Sequence, residues 1–110
     1  VKLTLSETAE LQQRYSYLTN YDEVRDPDSP IDLLTYVDSN GDSLLHIAVQ
    51  GNDLRSVELL LRAEAPVNRL GDLGNTPLHY ASSKEMVDLL TGAGAATDVK
   101  NEFGKLPLDR

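Results

Sequence analysis

Apolar residues recur at helical spacing in several places along the chain, separated by short polar stretches. Leu11, Tyr15 and Leu18 follow one another at intervals of four and three, which places them on one face of a helix predicted over residues 6–19. Glu7 and Glu10 fall near its N-terminus, where the helix dipole favours acids. A polar, acidic loop over 20–29 carries Asp22, Glu23, Asp26 and Asp28, and Ser29-Pro30 then opens a second short helix over 31–36 with Ile31, Leu33 and Leu34 inward. A third helix spans 43–50 and ends at Gly51. A fourth, over 53–63, turns Leu54, Val57, Leu60 and Leu61 toward a core. Residues 38–42 and 69–74 read as hairpin tips, and 92–102 leads into a third.

The pattern is also repeated. In Gly74-Asn75-Thr76-Pro77-Leu78-His79-Tyr80-Ala81, Thr76 suits a helix cap and Pro77 the first helical position, where it has no bond to lose. Leu78 points inward and small Ala81 admits a neighbouring helix. Gly41-Asp42-Ser43-Leu44-Leu45-His46-Ile47-Ala48 lies 33 residues upstream (74 − 41), and Gly104-Lys105-Leu106-Pro107-Leu108-Asp109 lies 30 downstream (104 − 74). Val57-Glu58-Leu59-Leu60-Leu61 likewise matches Val87-Asp88-Leu89-Leu90-Thr91. Thr-Pro-Leu-His-x-Ala at this period resembles the ankyrin repeat signature, over about two-thirds of the chain.

That resemblance implies an all-α solenoid of stacked antiparallel helix pairs with hairpin tips. Residues 1–37 then form a divergent N-terminal helical cap, 38–70 and 71–100 two full repeats, and 101–110 a partial third, all one structural domain. A cap is expected because each repeat leaves an apolar face open. The second repeat is three residues short after Ala81, so its first helix should lose nearly one turn. Ser82 and Glu85 have capping-box spacing, which starts the following helix immediately after Ser82. Glu64 stands where the next repeat has Gly94, at a helix end that calls for a left-handed backbone.

Charge and composition narrow the function. The formal charge of −8 is uneven: residues 1–42 hold nine acids and three bases (−6), and 43–110 hold nine and seven (−2). Such a chain repels phosphate backbones and anionic lipids, which argues against nucleic-acid and membrane binding. The absence of cysteine excludes disulfides, thiol catalysis and thiolate metal sites. No apolar run has membrane-spanning length and no leader is visible. The expected compartment is the cytoplasm, or the periplasm or exterior if Val1 is a processed mature end.

Candidate chemistry is sparse. His46 and His79, the only histidines, occupy matching repeat positions and read as helix-start residues rather than a metal or catalytic pair. Asp38-x-Asn40-x-Asp42 opens like a calcium loop but has Ser43 where glycine and Val49 where glutamate are required. Gly92-Ala93-Gly94 is too short for a phosphate loop. No catalytic residue, metal or cofactor is therefore expected. Leu73 and Phe103 are more informative: they stand immediately before tip glycines, where the first repeat has Asn40. They either pack between hairpins or form an apolar patch for a partner.

The resemblance implies protein binding through the tips and inner helices. By position, the tip candidates are Asn40, Asp42, Asp72, Leu73, Asn75, Phe103 and Lys105. The inner-helix candidates are Val49, Gln50, Ser82 and Ser83, with a recess beside the two serines. The expected function is a non-catalytic binder or inhibitor of one partner protein, basic or a toxic enzyme, of the small bacterial immunity or self-protection type. It is expected to be a monomer when unbound. The alternative is a scaffold or regulatory segment of a larger protein.

Overall fold

The computed structural model describes residues 3–15, 34 and 36–108. The first helix, α1, is Leu5–Arg14, closed at its start by a capping box. Thr4 Oγ1 accepts from Glu7 N at 3.1 Å, and Glu7 Oε1 accepts from Thr4 N at 3.0 Å. This box places the helix start one residue before the expected Ser6. The expected continuation over 16–19 and most of the second short helix lie outside the described residues. Leu34, expected inward, is exposed.

Three more α-helices follow: α2, Leu44–Gln50; α3, Leu54–Arg62; and α4, Lys84–Gly92. Each begins on a short polar side chain that accepts an orphan amide: Ser43 for His46 N, Asp53 for Ser56 N and Ser83 for Met86 N. The α4 cap is thus Ser83 and not Ser82, and the expected pairing of Ser82 with Glu85 is not used. All three end in the same Schellman pattern. After α2, Asn52 N donates to Val49 O and Asp53 N to Ala48 O. After α3, Glu64 N donates to Leu61 O and Ala65 N to Leu60 O. After α4, Gly94 N donates to Thr91 O and Ala95 N to Leu90 O. The left-handed residues are Asn52, Glu64 and Gly94, with φ of 54°, 66° and 97°.

The shortened second repeat behaves as its length dictates. Where the first repeat has the seven residues of α2, the second has only a four-residue 3-10 helix, Pro77–Tyr80, before Ala81 turns extended. Pro77 and Leu78 are nevertheless buried, so the remnant keeps its place in the stack.

Helix α3 is the hub. It packs against α1, α2 and α4, which explains why Leu59 joins Val57 and Leu60 at full burial. Leu54, expected inward, sits at the first position of α3 and stays exposed, and Leu61 is only half-buried. Three ion pairs fasten α1 to α3: Glu7–Arg62 at 2.7 Å, Glu10–Arg55 at 3.1 Å and Arg14–Asp53 at 2.7 Å. Their order rises along α1 and falls along α3, so the two helices run antiparallel. Tyr15 OH also donates to Asp53 Oδ2 at 2.7 Å.

Candidate protein-binding surface

Three hairpin tips share one backbone pattern. Residue i donates to the carbonyl of i+4, and the glycine at i+3 donates back to the carbonyl of i. The bonds are Asp38 N to Asp42 O and Gly41 N to Asp38 O in the first tip, and Gly71 N to Asn75 O and Gly74 N to Gly71 O in the second. Asn101 N to Lys105 O and Gly104 N to Asn101 O complete the third. Gly41, Gly74 and Gly104 have φ of 93°, 73° and 74°, the left-handed region that glycine enters without steric cost.

The histidines stitch the tips to the helices. His46 Nδ1 accepts from Ser43 N at 3.2 Å, and His46 Nε2 donates to Asn75 O in the next tip at 2.9 Å. A carbonyl can only accept, so Nε2 carries the proton. His79 repeats the arrangement, accepting from Thr76 N at 2.9 Å and donating to Lys105 O at 3.0 Å. Each imidazole therefore joins its own helix start to the following repeat. Burial lowers the His46 pKa, against the Asn75 carbonyl and the nearby Asp42 carboxylate, which favour the charged form. The sequence points to the helix-start role; the bond to the next tip depends on repeat spacing in three dimensions.

The candidate contact residues separate into exposed and occupied ones. Phe103 is 68% and Leu73 43% exposed, on neighbouring tips bound directly to each other, since Glu102 N donates to Leu73 O at 2.9 Å. Asn40, Gln50, Ser82 and Lys105 are exposed, while Asp72 is half-buried. Asn75 is half-buried too, its Oδ1 accepting from Asn101 Nδ2 at 2.8 Å. Ser83 is half-buried and donates to Asn52 Oδ1 at 2.9 Å, tying the two repeats together beside the shortened helix.

Two candidates are corrected. Val49 is fully buried, because the α2 face that carries it also faces the core. Asp42 is 6% exposed and its carboxylate is occupied: Oδ1 accepts from Asp72 N at 2.8 Å, and Tyr80 OH lies 3.1 and 3.2 Å from the two oxygens. Neither side chain is presented to a partner. Burial raises the Tyr80 pKa, and the Asp42 carboxylate acts in the same direction against the Asn75 side chain. Tyr80 also stands edge-on to His46, with ring centroids 5.7 Å apart.

Sequence reasoning missed Leu70, which is 57% exposed directly before the second tip. It also missed the network around Asp42. A signal for the network was present: Gly71 interrupts a position held by Asp38 and Asn101 in the other tips. A separate groove of about 400 Å³ lies between α3 and α4, lined by Glu58, Leu61, Asp88, Leu89 and Ala93 among others. Among the described residues no three of histidine, aspartate and glutamate converge to hold a metal ion. None of the helices among them is long and apolar enough to cross a membrane.

Stacked helix pairs, glycine tips and histidine stitches define a helical repeat protein. The chain belongs to the ankyrin repeat family, whose model matches residues 17–102 as three copies. The match takes in residues 17–37, upstream of the first clear motif.

Among individual relatives, the chain is 35% identical over 79 residues to protein phosphatase 1 regulatory subunit 27 of Homo sapiens, and equally to that of Mus musculus. These alignments cover 69% of this chain and 51% of the subunit. It is also 38% identical over 76 residues to an ankyrin and IPT/TIG repeat-containing protein of Schizosaccharomyces pombe, covering 66% of this chain and 7% of that protein. The chain thus spans about half the length of the phosphatase subunits and a small part of the yeast protein.

Proposed function

We propose that this chain is a non-catalytic module that binds one partner protein through its tips, with Phe103 and Leu73 as apolar anchors. The observation that carries this reading is the exposure of both side chains on adjacent tips held together by a backbone hydrogen bond. Leu73 adds weight. It lies in the left-handed region at φ 57° and ψ 25°, where a leucine costs on the order of 1 kcal/mol. Apolar surface left open to water adds nothing to the stability of the fold, whereas aromatic anchors dominate protein interfaces. Gln50, Ser82, Asn40 and Lys105 supply a polar rim in this reading.

A regulatory role within a larger assembly is the second reading, favoured by the two relatives in which the matched segment is a fraction of the protein. The relatives named here are eukaryotic and give no support to an inhibitor of bacterial immunity type. Similarity to a regulatory subunit makes protein phosphatase 1 the first partner to test. Phe103→Ala is expected to weaken binding by at least about 1 kcal/mol, near fivefold, with the thermal midpoint unchanged. Calorimetric titration measures this. Unchanged affinity in both Phe103→Ala and Leu73→Ser would move the interface away from the tips.

A further inference from the structure

Resting on the tip-binding reading, we propose that Asp42, although buried, is the positioning residue that sets the conformation in which Leu73 is presented. The argument starts from how each tip satisfies its backbone amides. In the first tip, Asp38 Oδ1 accepts from Asn40 N and Asp42 N, both at 2.9 Å. In the third, Asn101 Oδ1 accepts from Phe103 N at 2.9 Å and Lys105 N at 3.0 Å. This side-chain turn fixes the tip from within. The second tip has Gly71 at that position and cannot make it.

The Asp42 carboxylate, reaching over from the preceding tip, instead holds a different amide, one residue after Gly71. It accepts from Asp72 N at 2.8 Å and is steadied by Tyr80 OH. Gly71 leaves the room it needs: a Cβ there would overlap Asp42 Oδ1 and come within 2.9 Å of His46 Nε2. With no side-chain acceptor inside the tip, Asn75 N turns to Asp72 O at 3.0 Å and closes a 3-10 turn over Asp72–Gly74. Leu73, inside that turn, becomes left-handed, while Asn40 and Phe103 in the equivalent places do not. The Leu73 carbonyl then meets Glu102 N, which aligns it with the Phe103 tip. A carboxylate in one repeat thereby shapes an apolar contact in the next.

The Glu102 amide reports on this chain of contacts, because its acceptor is the Leu73 carbonyl. Asp42→Ala is expected to speed Glu102 amide exchange, followed by NMR, at least tenfold, with Leu59 and Leu60 amides of α3 unchanged. Asp42→Asn, which keeps an oxygen acceptor for Asp72 N, restores most of the protection. Tyr80→Phe removes only the hydroxyl that steadies the carboxylate and should raise the Glu102 rate about threefold; it serves if Asp42→Ala does not fold. Unchanged Glu102 exchange in Asp42→Ala, or in Tyr80→Phe where Asp42→Ala does not fold, overturns the positioning role, as does equal acceleration in α3. The exchange measurement needs no partner and so fails or succeeds independently of the binding reading. Faster Glu102 exchange with unchanged affinity for protein phosphatase 1 supports the positioning of Leu73 and instead counts against the tips as that partner's interface.

Discussion

Glu64 and Gly94 close equivalent helices in the same left-handed geometry, at φ of 66° and 97°, but only glycine does so without steric cost. Glu64→Gly is therefore expected to stabilise the fold. Relief of about 1 kcal/mol of strain is partly offset by the greater freedom of glycine in the unfolded chain. A rise of a few degrees in the thermal midpoint is the expected reading, and a fall would mean that Glu64 gains more from its surroundings than its backbone loses. Gly71 runs the other way. Its φ of −114° is not left-handed, and what it supplies is space. Gly71→Ala would push into the Asp42 carboxylate and the His46 ring and is expected to cost about 2 kcal/mol. Urea denaturation would measure both substitutions.

At the scale of elements, the α1–α3 contact turns on Asp53. It caps α3, bonding Ser56 N at 3.2 Å and Ser56 Oγ at 2.6 Å, and it also receives Tyr15 and Arg14 of the α1 end. Burial works to raise its pKa, but the bonds from Ser56, Tyr15 and Arg14 outweigh this and lower it to about 2. An unfolded aspartate titrates near 3.9. The carboxylate's contribution is thus complete above about pH 4 and is lost as pH falls toward 2. Linkage sets an upper bound of about 2 kcal/mol, which solvent screening reduces. The ion pair with the half-exposed Arg14 adds little by itself, since exposed pairs are screened. Asp53→Asn should lower stability at pH 7 and flatten the stability profile between pH 5 and 2, as measured by urea titrations across that range. An unchanged acid limb would assign the pH dependence to other carboxylates.

Across the whole molecule, α3 touches three helices and each histidine crosses a repeat boundary, so no part of the described stack stands alone. Repeat proteins gain stability from such nearest-neighbour interfaces. In a stack this short, losing one interface exposes the next. Unfolding is expected to be a single transition, with far-ultraviolet dichroism and tyrosine fluorescence coincident in urea. Two separated transitions would show that α1, which joins the core through Leu11 and the adjoining Tyr15, leaves before the repeats unfold.

Much of this architecture is legible in the chain itself. The 33-residue offset between Gly41 and Gly74, the cap Ser43 and the left-handed Glu64 follow from local chemistry that a residue carries wherever it stands. The three-residue deletion after Ala81 likewise dictated the 3-10 remnant of an inner helix. The tertiary structure decided what depends on neighbours. Periodicity places Val49 and Leu54 on helix faces, but only the packing around α2 and α3 buries the first and exposes the second. Ser82 and Ser83 are equally able to cap, and the geometry of the chain leaving Ala81 selects Ser83. Asp42 reads in sequence as a surface tip residue. Its burial, and its hold on a tip 30 residues away, exist only because stacking brings an amide without a local acceptor to its carboxylate.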